Sequence, residues 1–444
     1  MQFTDFSLHK QILKALANNG YTTPTTIQEK VFSVVMSGAD VCGIAQTGTG
    51  KTLAYLLPLF NLWKFSREKN PQVLVLVPTR ELVAQVVETA EKMSVYLNVV
   101  VKGVYGGTNI NTQKLELENG CDVLVATPGR VFDLAMAGAF KVKDIKKLVI
   151  DEMDEMLNLG FRTQIKNIID LLPHKRQNLL FSATLIEEVE VFIDEYFNSP
   201  QKLEAAPAGT PVDNIEQSMY EVPNFYTKAN LLSLLLNEDV SMAKVLVFVS
   251  SKKLADQLYE QLPPALQEVA GVIHSNKEQN HRFNTVKQFK DGTYRFIIAT
   301  DIVARGIDVA AVTHVINFDI PEVPENYIHR IGRTGRADMP GKAISFITDK
   351  DHSTWQTIQA FMNRKVPVTG LPAHLIINPE LTEDEKPRVY IKEIQIKVPK
   401  RDDRGPSFHP KSAKNSKVYN KVSHRDKMKK KYGKPATVRG KKKK

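Results

Sequence analysis

Short runs of consecutive apolar residues recur along this chain, separated by longer stretches in which apolar positions return every three or four residues. The runs predict parallel strands buried on both faces, which need Val, Ile and Leu at every position rather than at alternate ones. The longer stretches predict the amphipathic helices that cover them. Residues 41–44, 73–77, 99–104, 123–126, 148–150 and 179–181 read as one set of strands, and residues 245–249, 269–273, 296–299, 312–318 and 343–347 as a second. Strand alternating with helix predicts an α/β fold with mostly parallel sheets. Ahead of the first strand, Leu8, Ile12, Ala15 and Leu16 mark the apolar face of a helix over residues 5–20, with Gly20 as its C-cap. The leucine-rich residues 53–60 read as another helix.

Between the two strand sets, residues 198–214 carry Pro200, Pro207, Gly209 and Pro211 and few apolar side chains. A chain of 444 residues exceeds one typical core, so this stretch marks a boundary between domains. The expected division is a first domain over 1–204, a linker over 205–213 and a second domain over 214–365. An extension follows over 366–396, where the pattern weakens and 389–398 reads as one further strand, and then a tail over 397–444. The tail holds 19 Lys and Arg against 3 Asp and Glu, a charge of +16 on a chain whose net charge is +11, so the rest carries −5. Its Lys, Arg, Ser, Asn and Pro with few aromatics predict disorder, and its charge predicts a polyanionic partner, nucleic acid before any other. The competing reading is a tail that only keeps the protein soluble. No signal peptide and no membrane-spanning apolar stretch is visible, so no membrane partner is expected. The two cysteines, Cys42 and Cys121, lie on predicted core strands without metal-ligand spacing, which suits a reducing cytoplasm.

Candidate chemistry begins at Ala45-Gln46-Thr47-Gly48-Thr49-Gly50-Lys51-Thr52, between a predicted strand and a predicted helix. A glycine loop opening a helix aims backbone N–H groups and the positive end of the helix dipole at an anion. Lys51 adds a charge for the β- and γ-phosphates, and Thr52 a hydroxyl for Mg²⁺. The usual pattern starts with Gly where this chain has Ala45. Asp151-Glu152-Met153-Asp154 directly follows the apolar run ending at Ile150. An acidic pair at the end of a parallel strand in the same domain as a phosphate loop is placed to handle Mg²⁺ and the attacking water. Asp151 is then the metal carboxylate, through water, and Glu152 the base that orients the water. A nucleoside triphosphate with Mg²⁺ is the expected ligand.

With these motifs in hand, the chain resembles the DEAD-box ATP-dependent RNA helicases over residues 1 to about 365. The resemblance is carried by Phe3 and Tyr21-x-x-Pro24-Thr25-x-Ile27-Gln28, the loop 45–52, Pro78-Thr79-Arg80-Glu81-Leu82, Gly106-Gly107, Thr127-Pro128-Gly129-Arg130, the acidic motif, and Ser182-Ala183-Thr184. It continues through Val247-Phe248-Val249-Ser250, Gln279-x-x-Arg282, residues 299–308 and His329-Arg330-Ile331-Gly332-Arg333-Thr334-Gly335-Arg336. Among bacterial members it resembles the RhlE type, by its short N-terminal lead and basic C-terminus. The resemblance implies two RecA-like domains around an ATP cleft, with ATP and Mg²⁺ as the cofactors. It implies that Gln28 pairs with adenine, that Phe3 stacks on the ring, with simple burial as its alternative reading, that Tyr21 binds the nucleotide, and that Asp308 accepts from the ribose. Arg333 and Arg336 resemble arginine fingers that reach the γ-phosphate, so cleavage would require closure. Asp154, Ser182, Thr184, His329 and Arg330 would couple the two domains.

For RNA, the resemblance implies contacts from Arg80, Gly106, Gly107, Thr127, Gly129 and Arg130 in the first domain. Gln279, Arg282, Thr300, Asp301 and Arg305 would supply the second. None of these is suited to reading bases, so the expected recognition is of backbone and 2′-hydroxyl, without sequence preference. The helix after the acidic motif, residues 155–161, is expected to bend the bound strand. Met153 stands where the family has Ala; at this alternating position it should face packing rather than metal. The expected activity is RNA-stimulated ATP hydrolysis with local unwinding by a monomer, on targets such as ribosomal-precursor or RNA-decay assemblies. The rival readings are an RNA clamp that hardly turns over, which intact Glu152, Arg333 and Arg336 oppose, and a DNA translocase, which Gln28 and residues 78–82 oppose.

Overall fold

The computed structural model describes residues 1–46, 48–65, 69–205, 214–301, 312–335 and 340–386, with 427, 430, 431 and 433. Met1–Lys386 is one compact unit and Pro387–Lys444 a second. The expected strand at 389–398 and nearly all of the basic tail lie outside the described residues.

In the first unit, seven strands form one sheet: β1 (Val41–Ile44), β2 (Val73–Leu76), β3 (Val101–Val104), β4 (Val123–Ala126), β5 (Lys147–Ile150), β6 (Gln177–Ser182) and β7 (Gln201–Glu204). They run parallel in the order β3-β4-β2-β5-β6-β1-β7. Strands β1, β2, β4 and β6 are buried along their whole length, which is why the sequence shows near-continuous apolar runs there, with Gln177, Asn178 and Ser182 of β6 as buried polar exceptions. One layer of core joins Ile12, Val31, Leu56 and Phe60 to Val75, Val149 and Phe181. The other joins Leu74, Leu148 and Leu180 to Met153, Ile165 and Phe192.

The second sheet has six parallel strands, β8 (Ile215–Glu221), β9 (Val245–Phe248), β10 (Ala270–Ile273), β11 (Phe296–Ala299), β12 (His314–Asn317) and β13 (Gly341–Ile347). Their order is β10-β11-β9-β12-β13-β8. The two parallel sheets agree with the α/β expectation, and both edge strands β7 and β8 are additions to it. Strand β7 is largely exposed, and β8 buries Ile215, Gln217 and Met219 while Glu216 and Glu221 face out. Both leave positions in solvent, so their sequence alternates or is polar and neither shows as an apolar run, unlike the opposite edges β3 and β10. The stretch taken as a boundary from residue 198 therefore begins with a strand, and Ala205 still donates to the Ile44 carbonyl.

The expected helix over 5–20 is shorter. A 3₁₀ turn, Phe3–Asp5, closes on itself because the Asp5 carboxylate accepts from the Gln2 backbone, and the helix proper is Lys10–Asn18. Asn61 holds the entry by accepting from the His9 backbone N–H.

Residues 366–386 form an ordered strap along the second sheet. Met219 exchanges backbone hydrogen bonds with Pro367 and Thr369. The Asn378 carbonyl accepts from the Asn224 amide, and Glu385 accepts from the Phe225 backbone. Leu371 and Leu375 pack on the core beneath. Ending the chain after Lys365 should therefore lower the melting temperature by about 5 °C, as a loss of roughly 2 kcal/mol does in a domain of this size. Ending it after Lys386 should leave the melting temperature unchanged. Equal melting of the two truncated chains would show that the strap contributes nothing.

Candidate functional site

Three neighbouring strands of the first sheet, β5, β6 and β1, end at one edge, and each delivers a candidate motif there. After β1 comes the loop 45–50, in which Thr49 bonds back to the Gln46 carbonyl through its hydroxyl at 2.7 Å. The helix Lys51–Asn61 follows, started by Gly50 at φ 85° and capped by no side chain among the described residues. Its first N–H groups are thus left for an anion. Only glycine suits position 50, because a Cβ there would run into the Gln28 amide. Gln28 Nε2 donates to the Gly50 carbonyl at 3.0 Å, and its Oε1 accepts from the Thr25 backbone at 3.0 Å. A primary amide has two N–H groups and two lone pairs, so one of each remains for an adenine edge. Phe3 is buried, with its ring edge-on to Phe6, and Tyr21 is exposed. Lys51 Nζ is buried without a hydrogen-bond partner among the described residues, which is the condition of a cation that a phosphate would complete.

After β5, Asp151 is clamped at both oxygens: Oδ2 accepts from the Tyr55 hydroxyl at 3.1 Å and Oδ1 from the Glu152 backbone at 2.9 Å. Burial pushes its pKa up, against the pull of Lys51. Glu152 has φ 53° and ψ 53°, a left-handed conformation unusual for a residue with a Cβ. Burial pushes its carboxyl up to about 7, while Lys51 and Arg333 draw it down. Met153 is wholly buried in the core, facing packing as its alternate position predicts. Asp154 lies against the loop after β6: its Oδ2 accepts from the Ala183 and Thr184 backbones and from the Thr184 hydroxyl, and Ser182 Oγ accepts from the Asp154 backbone. Burial works against its charge, yet His329, Lys51 and these hydroxyls outweigh it and hold its pKa below the usual carboxylate value. Among the described residues no three His, Cys, Asp or Glu side chains gather as a cage for a metal ion. A Mg²⁺ here would be carried largely by the nucleotide's phosphates, with Thr52 and Asp151 supplying the hard oxygen donors such an ion takes.

The other half of the same edge belongs to β3, β4 and β2, and it carries the candidate polyanion contacts. Arg80 opens the helix after β2, Thr127 caps the helix after β4, and Gly106 and Gly107 follow β3. Gly107 has φ 79°, and a Cβ on it would strike the Arg80 guanidinium. Arg130 is held by Gln113 at 2.7 Å and by the Thr108 carbonyl at 2.8 Å, while Gly129 faces open space.

The second sheet meets this face. Gln279 Oε1 accepts from Arg80 at 3.1 Å, and its Nε2 donates to Glu81 at 2.8 Å. Arg282 pairs with the same Glu81 oxygen at 2.6 Å. Beside them the rings of Tyr105 and Phe283 meet at 6.3 Å. On the nucleotide side, His329 Nε2 stands 3.8 Å from Asp154 Oδ2, and buried Arg333 acts on Glu152.

Two expectations need correction. Among the described residues Arg330 makes its contacts within its own half: it grips Asp301 at both carboxylate oxygens, donates to the Asp319 carbonyl at 2.6 Å and lies over the Phe248 ring. A planar fork satisfied within its own sheet organises that sheet, and it also takes up the Asp301 carboxylate that was expected at RNA. Thr300 donates its backbone N–H to Ile273. The helix after the acidic motif is Met153–Asn158, shorter than the expected 155–161, with residues 153–157 buried and a break at Gly160, so only residues 158–161 of that stretch are open to a strand. Thr47, Arg305, Asp308 and Arg336 lie outside the described residues. Sequence reasoning passed over Glu81, although it sits inside a quoted motif, and Tyr55, one helical turn from Lys51.

A DEAD/DEAH box helicase family model matches residues 25–192, and a helicase conserved C-terminal domain model matches residues 227–338. The chain is 36% identical over 386 residues to the ATP-dependent RNA helicase RhlB of Pseudomonas syringae, covering 84% of this chain and 96% of that one. It is 36% identical over 371 residues to the ATP-dependent RNA helicase DbpA of Bacillus subtilis, covering 84% and 77%. Its structure matches that of S. cerevisiae Dbp5 bound to RNA and ADP BeF3 with a TM-score of 0.76 at 28% identity, covering 83% and 95%.

Glu81 is the hub of the bridge between the sheets. Removing one partner of a buried ion pair costs roughly 3–5 kcal/mol, so Glu81→Ala should reduce the closed population at least about tenfold, read by energy transfer between dyes on the two halves. Phe283→Ala should cost less, about 0.5–1.5 kcal/mol. Unchanged closure in both variants would remove these contacts from the closing interface.

Proposed function

Because the chain belongs to the DEAD-box family of ATP-dependent RNA helicases, we propose that it opens short duplexes or remodels RNA–protein assemblies locally, by closing two RecA-like halves, residues 1–204 and 214–365, on one strand. Its activity is that of an RNA-stimulated ATPase and helicase. The observation that carries the mechanism is Glu152, half-buried between Lys51, Asp151 and Arg333, with its carboxyl near neutrality. A carboxylate with a pKa near the working pH is suited to take a proton from the attacking water. Lys51 binds the phosphates, and the uncapped helix N-terminus adds its dipole. Mg²⁺, when bound between the phosphates, Thr52 and Asp151, would neutralise charge that builds there. Arg333, with Arg336 from the sequence, belongs to the second half, so closure and cleavage are linked.

The strand lies along the loops after β2, β3 and β4 and the helix from Gln279, where Arg80, Arg130 and Arg282 offer positive charge to phosphates. Local opening of this kind suits ribosomal-precursor or RNA-decay assemblies. Cytoplasmic residence fits Cys42 and Cys121, both buried free thiols pushed up to about 12 by burial. No helix of the described residues is long and apolar enough to cross a membrane.

Glu152→Gln should bind ATP and RNA but lower hydrolysis by at least ~10²-fold, the scale of general-base loss. In the wild type, the rate should climb as pH rises through about 7 and level off above it, since the carboxylate and not the acid accepts the proton. Near-normal turnover by the variant would remove Glu152 from this role.

The tail supplies a second test. Its +16 should add a sequence-independent, salt-sensitive hold on RNA. Ending the chain after Val398 should weaken RNA binding most at low salt and flatten its salt dependence, with turnover at saturating RNA unchanged. An intact salt slope would contradict the tether.

A further inference from the structure

We infer that the Tyr55 hydroxyl is a positioning group for the metal-bearing side of the nucleotide site, holding the Asp151 carboxylate in the orientation from which it would serve Mg²⁺. The inference rests on the nucleotide-hydrolase reading above. Tyr55 is fully buried on the helix that the phosphate loop opens, four residues after Lys51 and three after Thr52, so all three lie on one face. Its ring packs against Phe181 of β6 at 5.3 Å, and its hydroxyl donates to Asp151 Oδ2 at 3.1 Å. The packing needs only the ring. A phenylalanine would fill the same space, and the buried hydroxyl is tolerable because it has a partner.

That partner is a carboxylate whose other oxygen is already held by the Glu152 backbone at 2.9 Å, so both ends of Asp151 are fixed and its plane cannot turn. Thr52 lies three residues earlier on the same helix, about one turn away. The buried hydroxyl thus orients the carboxylate donor of the site. Groups that orient the donors of a metal are worth much of its affinity even where they never touch it.

The test is Tyr55→Phe in the full chain, with a fluorescent ATP analogue titrated in Mg²⁺ and again in EDTA. The dissociation constant in Mg²⁺ should rise roughly tenfold, the lower end of the range for such orienting groups. Binding in EDTA and the melting temperature should stay at wild-type values. The Mg²⁺ concentration for half-maximal hydrolysis should rise, and saturating Mg²⁺ should restore the rate. In an Asp151→Asn background, Tyr55→Phe should cause no further loss, because the two act as one unit. Equal Mg²⁺ dependence of variant and wild type would overturn the inference alone, as would an equal loss in EDTA or an additive loss with Asp151→Asn. Mg²⁺-independent nucleotide binding by the wild type would overturn the metal reading itself, and the inference with it.

Discussion

Lys51 is buried in the same site as three carboxylates, Asp151, Glu152 and Asp154, and its charge acts on the ionisation of each. A buried ammonium is costly unless its charge is met, and so is a buried carboxylate. Each side therefore makes the other tolerable. The balance is uneven: Asp154 is held ionised by its hydroxyls and His329, whereas burial dominates at Asp151 and Glu152. The site is poised for an anion at Lys51 and a cation at Asp151, the two ends of a metal-bound triphosphate. The left-handed backbone at Glu152 belongs to the same arrangement, since the turn there lets Asp151 and Glu152 both face the cleft while Met153 enters the core.

The order of strands turns this local chemistry into coupling. One edge of the first sheet carries the nucleotide loops on β5, β6 and β1 and the polyanion loops on β3, β4 and β2. The second sheet meets both, through His329 and Arg333 on one side and Gln279 and Arg282 on the other. Occupying either side biases the same closure, and two ligands with no shared contact then favour one another. Glu81 and Asp154 have parallel duties here. Each is a buried acid of the first half facing a basic side chain of the second.

Function was legible in the chain because phosphate and metal chemistry needs particular residues at particular spacings. The loop at 45–52 and the acids at 151–154 stand directly after apolar runs, and those runs became strands of one sheet with β6 between them. Fully buried strands were legible for a similar reason, since burial on both faces leaves little room for polar residues, and those that remain, such as Asn178 of β6, are hydrogen-bonded. The strands β7 and β8 were not, because each leaves positions in solvent and its pattern resembles a loop. Arg330 and Asp301 misled for a different reason. Both types suit a nucleic-acid surface or an internal pair, and only their mutual bidentate contact distinguishes the two.

By itself, then, the sequence determined the class of fold, the phosphate loop, the acidic pair and the charge of the tail, because each depends on residues close together along the chain. Tertiary structure decided what depends on residues far apart: that β5, β6 and β1 are neighbours, that Glu81 answers Arg282 across 201 positions, and that Tyr55 reaches Asp151 across 96. Local propensity carries no information about such pairs. They exist because packing two sheets brings distant side chains within a few ångströms, where low dielectric and the cost of unpaired polar groups leave one arrangement favoured.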